Sequence, residues 1–381
     1  MKVISERELA EAIRAAGGPL RVRGGGTRDI GRPVAGEVLE VGISSIELYE
    51  PEALTLVARA CTALGEIEAA LAGEGQRLAF EPMDHRVLLG TDGVPTIGGA
   101  VAANVSGPRR IQAGAARDFA LGARFVDGAG RIVKNGGRVM KNVTGYDLVK
   151  LMAGSWGTLG VLSEVGLKVQ AMPETQATLV ARGKDAAAGI AALAAALGSP
   201  WDITGAAHVG PGLAGEMSET RLRIEGLAGS VDYRVGALGR EICAGWEVLR
   251  DEASAALWRQ VRDVAPFAAA PVVWRVSVKP SDGPGISRAL GDAGLDHAAL
   301  YDWGGGLIWI APDAAQDDGG AAAIRARVAA HGGHATLVKA PGDLRARVGV
   351  FQPQSGALAA ISKGLKQRFD PRDILNPGLM G

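Results

Sequence analysis

The chain has 381 residues, too many for one ordinary hydrophobic core and enough for two domains. Apolar residues make up 47% and charged residues 22%, the balance of a soluble globular protein. Lys plus Arg equals Asp plus Glu at 41 each, which argues against a general nucleic-acid binder and leaves room for a local basic groove.

The start, Met1 to Glu8, carries acids at once and has no signal-peptide core. No apolar run reaches the roughly 18 residues of a membrane span. Cys61 and Cys243 stand far apart, so they supply neither an iron–sulfur cluster nor a metal site and read as buried, reduced thiols. The expected location is cytoplasmic.

In chain order, a helix is predicted over 6–16, where Leu9 and Ile13 share a face. A short strand at 21–23 runs into Gly24-Gly25-Gly26-Thr27, a second strand is predicted at 54–60, and a helix at 65–72. Glycine, at 56 residues, is dense in this half: Gly98-Gly99, Gly136-Gly137, then Gly154, Gly157 and Gly160. With a further strand at 123–126, the half reads as strands joined by tight, glycine-dependent turns.

The texture changes after Pro173. Strands at 177–181, 221–225, 272–278 and 306–311 are interleaved with helices at 186–197, 253–264 and 321–330. That order predicts an α+β layer, an antiparallel sheet with helices on one face. The tail 369–378 reads as an ordered, turn-rich segment.

The glycine loops carry the chemistry. In Arg21-Val22-Arg23-Gly24-Gly25-Gly26-Thr27-Arg28, side-chain-free residues let backbone N–H groups converge on an anion, and Thr27 and the arginines add hydrogen bonds and charge. A pyrophosphate fits such a nest; a plain glycine turn has the same composition. It is no Walker loop, for no Gly-Lys-Ser/Thr follows, and no Rossmann unit, since Gly-x-Gly-x-x-Gly leading into a helix is absent. Thr96 to Gly107 packs small residues around Asn104 and Ser106, letting a flat cofactor approach the backbone. Arg117-Asp118 follows, and a third cluster runs from Lys141 through Asn142-Val143-Thr144-Gly145 to Gly154-Ser155-Trp156-Gly157-Thr158-Leu159-Gly160-Val161.

These clusters, in this order and with the closing Phe369-Asp370-Pro371 and Ile374-Leu375-Asn376-Pro377-Gly378, resemble the vanillyl-alcohol-oxidase (PCMH-type) FAD-binding family. The details are most similar to the FAD-binding subunit of bacterial glycolate oxidase, the GlcE type. The resemblance covers residues 20–172 and the last dozen well, and the middle in layout only. It implies an α+β chain: a PCMH-type FAD-binding domain of two α/β subdomains at 1–172, an α+β cap with an antiparallel sheet at 173–340, and a segment at 341–381 returning to the FAD domain.

Carried over by position, the resemblance places Arg23, Gly24, Gly25, Gly26, Thr27 and Arg28 at the FAD pyrophosphate. It places Gly98, Gly99, Asn104, Ser106 and Gly107 beside pyrophosphate and ribityl, and Gly114 and Asp118 near ribityl and flavin. Val161, with Gly157 and Gly160, lies toward the adenine half, Pro82 along the same channel, and Asn376 in the closing signature. A capping pair is the other reading of Asn104 and Ser106, and a turn acid that of Asp118. Where members with covalent flavin carry histidine, this chain has Thr27, which implies noncovalent FAD. Where hydroxy-acid dehydrogenases of the family carry Glu, it has Trp156.

Oxidising a 2-hydroxy acid needs a base for the hydroxyl proton and a cation for the carboxylate. His334 is the candidate base, and Arg275, Lys279 and Lys339 are candidate cations. A helix cap at His331, a sheet-edge His334 and solvated strand cations form the alternative reading. The implied function is the FAD subunit of a glycolate-type 2-hydroxy-acid dehydrogenase, with a larger FAD-bearing catalytic subunit and an iron–sulfur subunit as partners, and through them a place at the inner face of the membrane. A stand-alone hydroxy-acid oxidase and a structural FAD-bearing subunit are the alternatives.

Overall fold

The computed structural model describes residues 1–138, 145–313 and 317–381, so Asn142, Val143 and Thr144 of the third cluster lie outside the described residues. Ser5 caps the first helix, Glu6–Ala15, by accepting from Glu8 N, and the helix buries Leu9, Ala10, Ala12 and Ile13. Its apolar face shares a core with Val3, Leu20, Leu39 and Val41 of a three-stranded parallel sheet, ordered Lys2–Val3, Glu37–Val41, Leu20–Arg23.

An antiparallel sheet of five strands follows, in the order Ile46–Glu50, Thr55–Arg59, Gly160–Lys168, Ala120–Asp127, Ile132–Gly136. The helices Leu64–Gly73 and Ile97–Ala102 share its core through Ile67, Leu71, Ile97 and Val101. The pair Gly98-Gly99, expected as a turn, lies inside the second of these helices. Thr96 caps it, and Gly98 N donates to Ala60 O at 2.7 Å. A Cβ at Gly98 would lie 2.6 Å from Ala60 O and from its Cβ, so close packing on the strand decides the residue here against helix propensity.

The second half forms an eight-stranded, wholly antiparallel sheet. Its order is Glu247–Arg250, Thr175–Arg182, Glu219–Gly226, Gly205–Val209, His297–Asp302, Leu307–Pro312, Val273–Ser277, His334–Lys339. Successive side chains alternate between its faces. Leu222, Ile224, Trp274, Val276, Ile310 and Leu337 pack against the helices Ala186–Leu197, Ala228–Glu241, Gly283–Asp292 and Ala321–Ala330. Val273, Leu300, Leu307, Trp309 and Val338 turn the other way and pack with Ile30, Met83, Leu88 and Val105 of the first half. The helix Asp251–Arg262 departs from the one-faced layer expected, because its Trp258 and Val261 join this second core.

The tail returns to the parallel sheet. Leu20 N donates to Ile374 O at 2.7 Å and Asn376 N to Leu20 O at 3.0 Å. Asp370 holds the turn, its Oδ2 accepting from Leu375 N and from Lys366 Nζ, both at 2.7 Å.

Candidate active site

A cavity of about 340 Å³ is lined by residues of the parallel sheet, the glycine loop, the helix Ile97–Ala102 and the tail. Around it the structure gathers Arg23, Gly24, Gly25, Gly26, Thr27, Arg28, Gly98, Gly99, Gly157, Gly160, Val161 and Asn376. The loop follows the end of the strand Leu20–Arg23 and is stitched to Val94, whose N donates to Gly25 O at 3.0 Å. A Cβ on Gly25 would sit 1.7 Å from Val94 O, so glycine is required there by this backbone approach. Gly26, at φ +74°, needs glycine for its left-handed conformation. Asn376 binds the cavity wall together: its Oδ1 accepts from Val22 N at 2.8 Å and its Nδ2 donates to Trp156 O at 3.0 Å.

Seven sequence-predicted residues lie off this cavity. Asn104 Oδ1 accepts from Arg117 N at 3.1 Å, Ser106 Oγ from Ala116 N at 2.9 Å, and Asp118 Oδ2 from Ala115 N at 2.9 Å. One oxygen of each accepts a backbone N–H, and Gly114 at φ +103° turns the chain between them. Gly107 lies under the second half of the chain: its carbonyl accepts from Trp303 Nε1 at 3.1 Å, and a Cβ there would be 2.3 Å from Glu81 O. Pro82 lines a different cavity, of about 510 Å³, beside Glu81, Arg109 and Glu225. His334 opens the last strand, paired with Ser277, at the edge of the eight-stranded sheet. Small and polar residues near a glycine cluster serve turns and interfaces as readily as ligands.

The cavity also takes in Cys61, which no motif marked, and Trp156 and Thr96, which stand in the glycine clusters but were not placed at the cofactor. Cys61 lines it, with Sγ on Val41 O at 2.9 Å and a thiol that burial pushes up to about 11. Trp156, at φ +54°, is fixed by its N–H on Ala102 O at 2.9 Å, and its ring meets Phe351 edge-on at 5.7 Å. Thr96, the helix cap, is buried in the same wall.

Arg28 stands at the boundary between the two halves. Its Nε reaches His85 Nδ1 at 3.3 Å, its Nη2 is buried without a partner among the described residues, and burial draws its guanidinium down to about 10. His85 is buried and neutral, pushed down to about 3 by burial first and then by Arg28, with Arg275 adding to it.

Arg275 projects from the sheet face that meets the first half, flanked in sequence by Trp274 and Val276 of the opposite core. Its guanidinium lies 5.3 Å from the centre of the Trp303 ring, and that of Arg110 lies 4.5 Å from the same ring. His334 shares this face, and burial, Arg275 and Arg110 all push its imidazole below the ordinary range. Lys279 is exposed, while Lys339 donates to Ala268 O at 2.7 Å.

Residues 2–136 match the model of an FAD binding domain. The glycolate oxidase subunit GlcE of Escherichia coli is 37% identical over 95% of this chain and 92% of its own length. The chain belongs to the GlcE-type family of FAD-binding subunits. GlcD of Bacillus subtilis, another glycolate oxidase subunit, is 42% identical over 23% of this chain and 19% of its own. Alkyldihydroxyacetonephosphate synthase shares the fold, with a TM-score of 0.67 at 16% identity over 99% of this chain and 76% of that one.

This GlcE-type chain is thus an FAD-dependent oxidoreductase of PCMH-type fold. Its residues fit that cofactor. A glycine loop too tight for any Cβ at Gly25 and a buried guanidinium nitrogen of Arg28 without a partner among the described residues meet at a cavity of mixed polar and apolar walls. Among the described residues no helix is long and apolar enough to cross a membrane.

Proposed function

We propose that this chain is the FAD-binding subunit of a glycolate-type 2-hydroxy-acid dehydrogenase complex. In this reading electrons from the hydroxy acid pass by way of the flavin to an iron–sulfur partner, alongside a larger FAD-bearing subunit. The observation that carries it is convergence: four segments distant in sequence, 23–28, 98–99, 156–161 and Asn376, line one cavity. The full-length likeness to a glycolate oxidase subunit gives the reaction class. Residues 1–172 form the flavin domain in this reading, 173–340 the cap, and 341–381 the returning segment that supplies Asn376.

Bound FAD supplies a two-electron acceptor for the hydrogen on the carbinol carbon. The chain's own residues do the rest. Gly24 to Thr27 present backbone N–H groups and Arg28 a buried charge to the pyrophosphate, and Trp156 closes the wall beside Ala102 and Ala103. His334, exposed at the start of its strand with an imidazole drawn below its ordinary range by desolvation of the ring and by Arg275 and Arg110, is the proton acceptor for the substrate hydroxyl. A neutral imidazole has the free lone pair this requires.

The flavin is held without a covalent link. Thr27 occupies the histidine position of covalent members, and the Cys61 thiol, raised to about 11, stays protonated at neutral pH. Absorbance of the purified protein before and after acid precipitation tests both points. A yellow supernatant with the spectrum of free FAD is expected. Colour retained in the pellet removes the noncovalent link, and a colourless protein that ignores added FAD removes the function itself.

A further inference from the structure

The eight-stranded sheet turns a strip of charge toward the first half of the chain. Arg223, Asp302, Arg275 and His334 follow one another across that face. One end of the strip is neutralised. Arg223 pairs with Glu81 at 2.9 Å and sits 3.5 Å from Glu225.

The other end is not. Arg275 and Arg110 converge on Trp303 from opposite halves of the chain, and neither has an ion pair or side-chain hydrogen bond among the described residues. Arg110's own charge is made more costly by burial and by Arg117 and is eased by Asp118. Burial brings Arg275 down to about 10, Arg110 pushes it the same way, and Asp302 is the one opposing charge that acts on it. Asp302 answers poorly: burial raises its carboxyl to about 7, and its Oδ1 is already taken by Trp303 N at 2.7 Å. Trp303 itself is held at φ +53° by that bond, with its Nε1 anchored on Gly107 O.

Two guanidiniums crowded on one indole, both half-buried and neither in an ion pair among the described residues, are a standing electrostatic debt. A bound anion relieves it, and a planar carboxylate matches the guanidinium fork.

We propose that Arg110 and Arg275, braced on Trp303 at the junction of the two halves, form the carboxylate-binding site for the small acid this protein oxidises. The site adjoins His334, so a carboxylate held there sets the neighbouring hydroxyl toward a neutral imidazole. It is separate from the glycine loop that faces the pyrophosphate, and it is assembled only when the halves close, since each contributes one arginine. The assignment rests on the 2-hydroxy-acid reading above.

Oxalate, a carboxylate that carries no oxidisable hydrogen, is the probe. Titrated into the FAD-loaded protein, it is expected to quench tryptophan emission and perturb the flavin absorbance saturably. Arg275→Met and Arg110→Met should each raise the dissociation constant at least tenfold while leaving flavin content unchanged, and Arg275→Lys should fall between Met and wild type. Thermal stability without oxalate should hold or rise in Arg275→Met, the reverse of what loss of a structural arginine produces.

If wild type loaded with FAD ignores oxalate, or if Arg275→Met binds it as wild type does, the site is refuted while the flavoprotein reading stands. If inorganic phosphate binds as tightly with the same arginine dependence, the carboxylate assignment is overturned. A protein that never takes up FAD fails at the earlier reading instead.

Discussion

Arg223 and Arg275 leave the same face of the same sheet, with three strands between them, and meet opposite fates. Arg223 lies in a closed lattice that spans the two halves of the chain. Arg77 contacts Glu225 at 2.6 Å, Arg109 contacts Glu225 at 2.8 Å and Glu81 at 3.4 Å, and Arg223 bridges back to Glu81. Three guanidiniums share two carboxylates, and both carboxyls are held below their ordinary range by these arginines against the opposing pull of burial. Among the described residues, Arg275 meets another arginine, an indole and a carboxyl that burial keeps partly protonated. The first arrangement fixes how the halves dock. The second leaves a charge that the fold does not neutralise, and residues of that kind concentrate where a ligand completes them. Burial alone therefore does not sort structural from functional arginines; the partner does.

The contrast is sharpest in stability. Arg223→Met takes from Glu81 its two-pronged partner, leaving it the longer Arg109 contact inside the interface, and is expected to cost about 3–5 kcal/mol, read as an earlier urea transition. Arg275→Met removes an uncompensated charge and is expected to change stability by less than about 1 kcal/mol in the unfavourable direction, or to increase it, in the same assay. If both variants lose stability equally, the distinction collapses.

The carboxyls separate by pH. Glu225 and Glu81 have folded pKa values below the unfolded ones, so their contribution is present above about pH 4.5 and is lost as pH falls through the folded values. Asp302 runs the other way. With a folded value near 7 against an ordinary 3.8, the folded state holds a proton that the unfolded state releases, so its contribution is full below about pH 4 and fades as pH rises toward 7. Asp302→Asn should flatten the pH 4–7 portion of the stability profile and leave the acid limb intact, as measured by thermal melts across that range. A profile unchanged by the substitution would place Asp302 outside this electrostatic strip.

The smallest effect is the control. Arg250 and Asp232 pair at 2.8 Å on the surface with both side chains exposed. Arg250→Ala is expected to cost roughly 0–1 kcal/mol, since water and salt screen such pairs. A larger loss in the same melts would mean that exposed arginines here also carry structure.

The elements with strong periodicity were legible from the residues. The helices Ala186–Leu197 and Ala321–Ala330 and the strands Thr55–Arg59 and Val273–Ser277 lie where apolar spacing put them. The helices Ala228–Glu241 and Gly283–Asp292 were not predicted, although Val231, Val235 and Leu238, and Ile286 and Leu290, recur at helical spacing; their several glycines lower helix propensity. In the site, the loop 24–28 and the Gly157, Gly160 and Asn376 positions stood out because close backbone approach and left-handed φ restrict composition strongly. Asn104, Ser106 and Asp118 looked the same in sequence, yet their oxygens are turned to backbone N–H groups of the segment 115–117. Cys61 carried no signal, since an apolar wall admits many residue types, and Trp156 stood out only as a departure from the family's Glu.

What the sequence by itself determined is local: where helices and strands run, which bends tolerate only glycine, and a likeness of motifs that names the cofactor. Such features depend on residues near one another in the chain, where φ/ψ limits and side-chain period act directly. Only tertiary structure decided that Arg110 and Arg275 meet at Trp303 while Arg109 and Arg223 meet glutamates. Adjacent arginines in the sequence, Arg109 and Arg110, receive opposite surroundings because the sheet strands that face them come from far along the chain. Charge is set by residue identity, but its partner is set by docking.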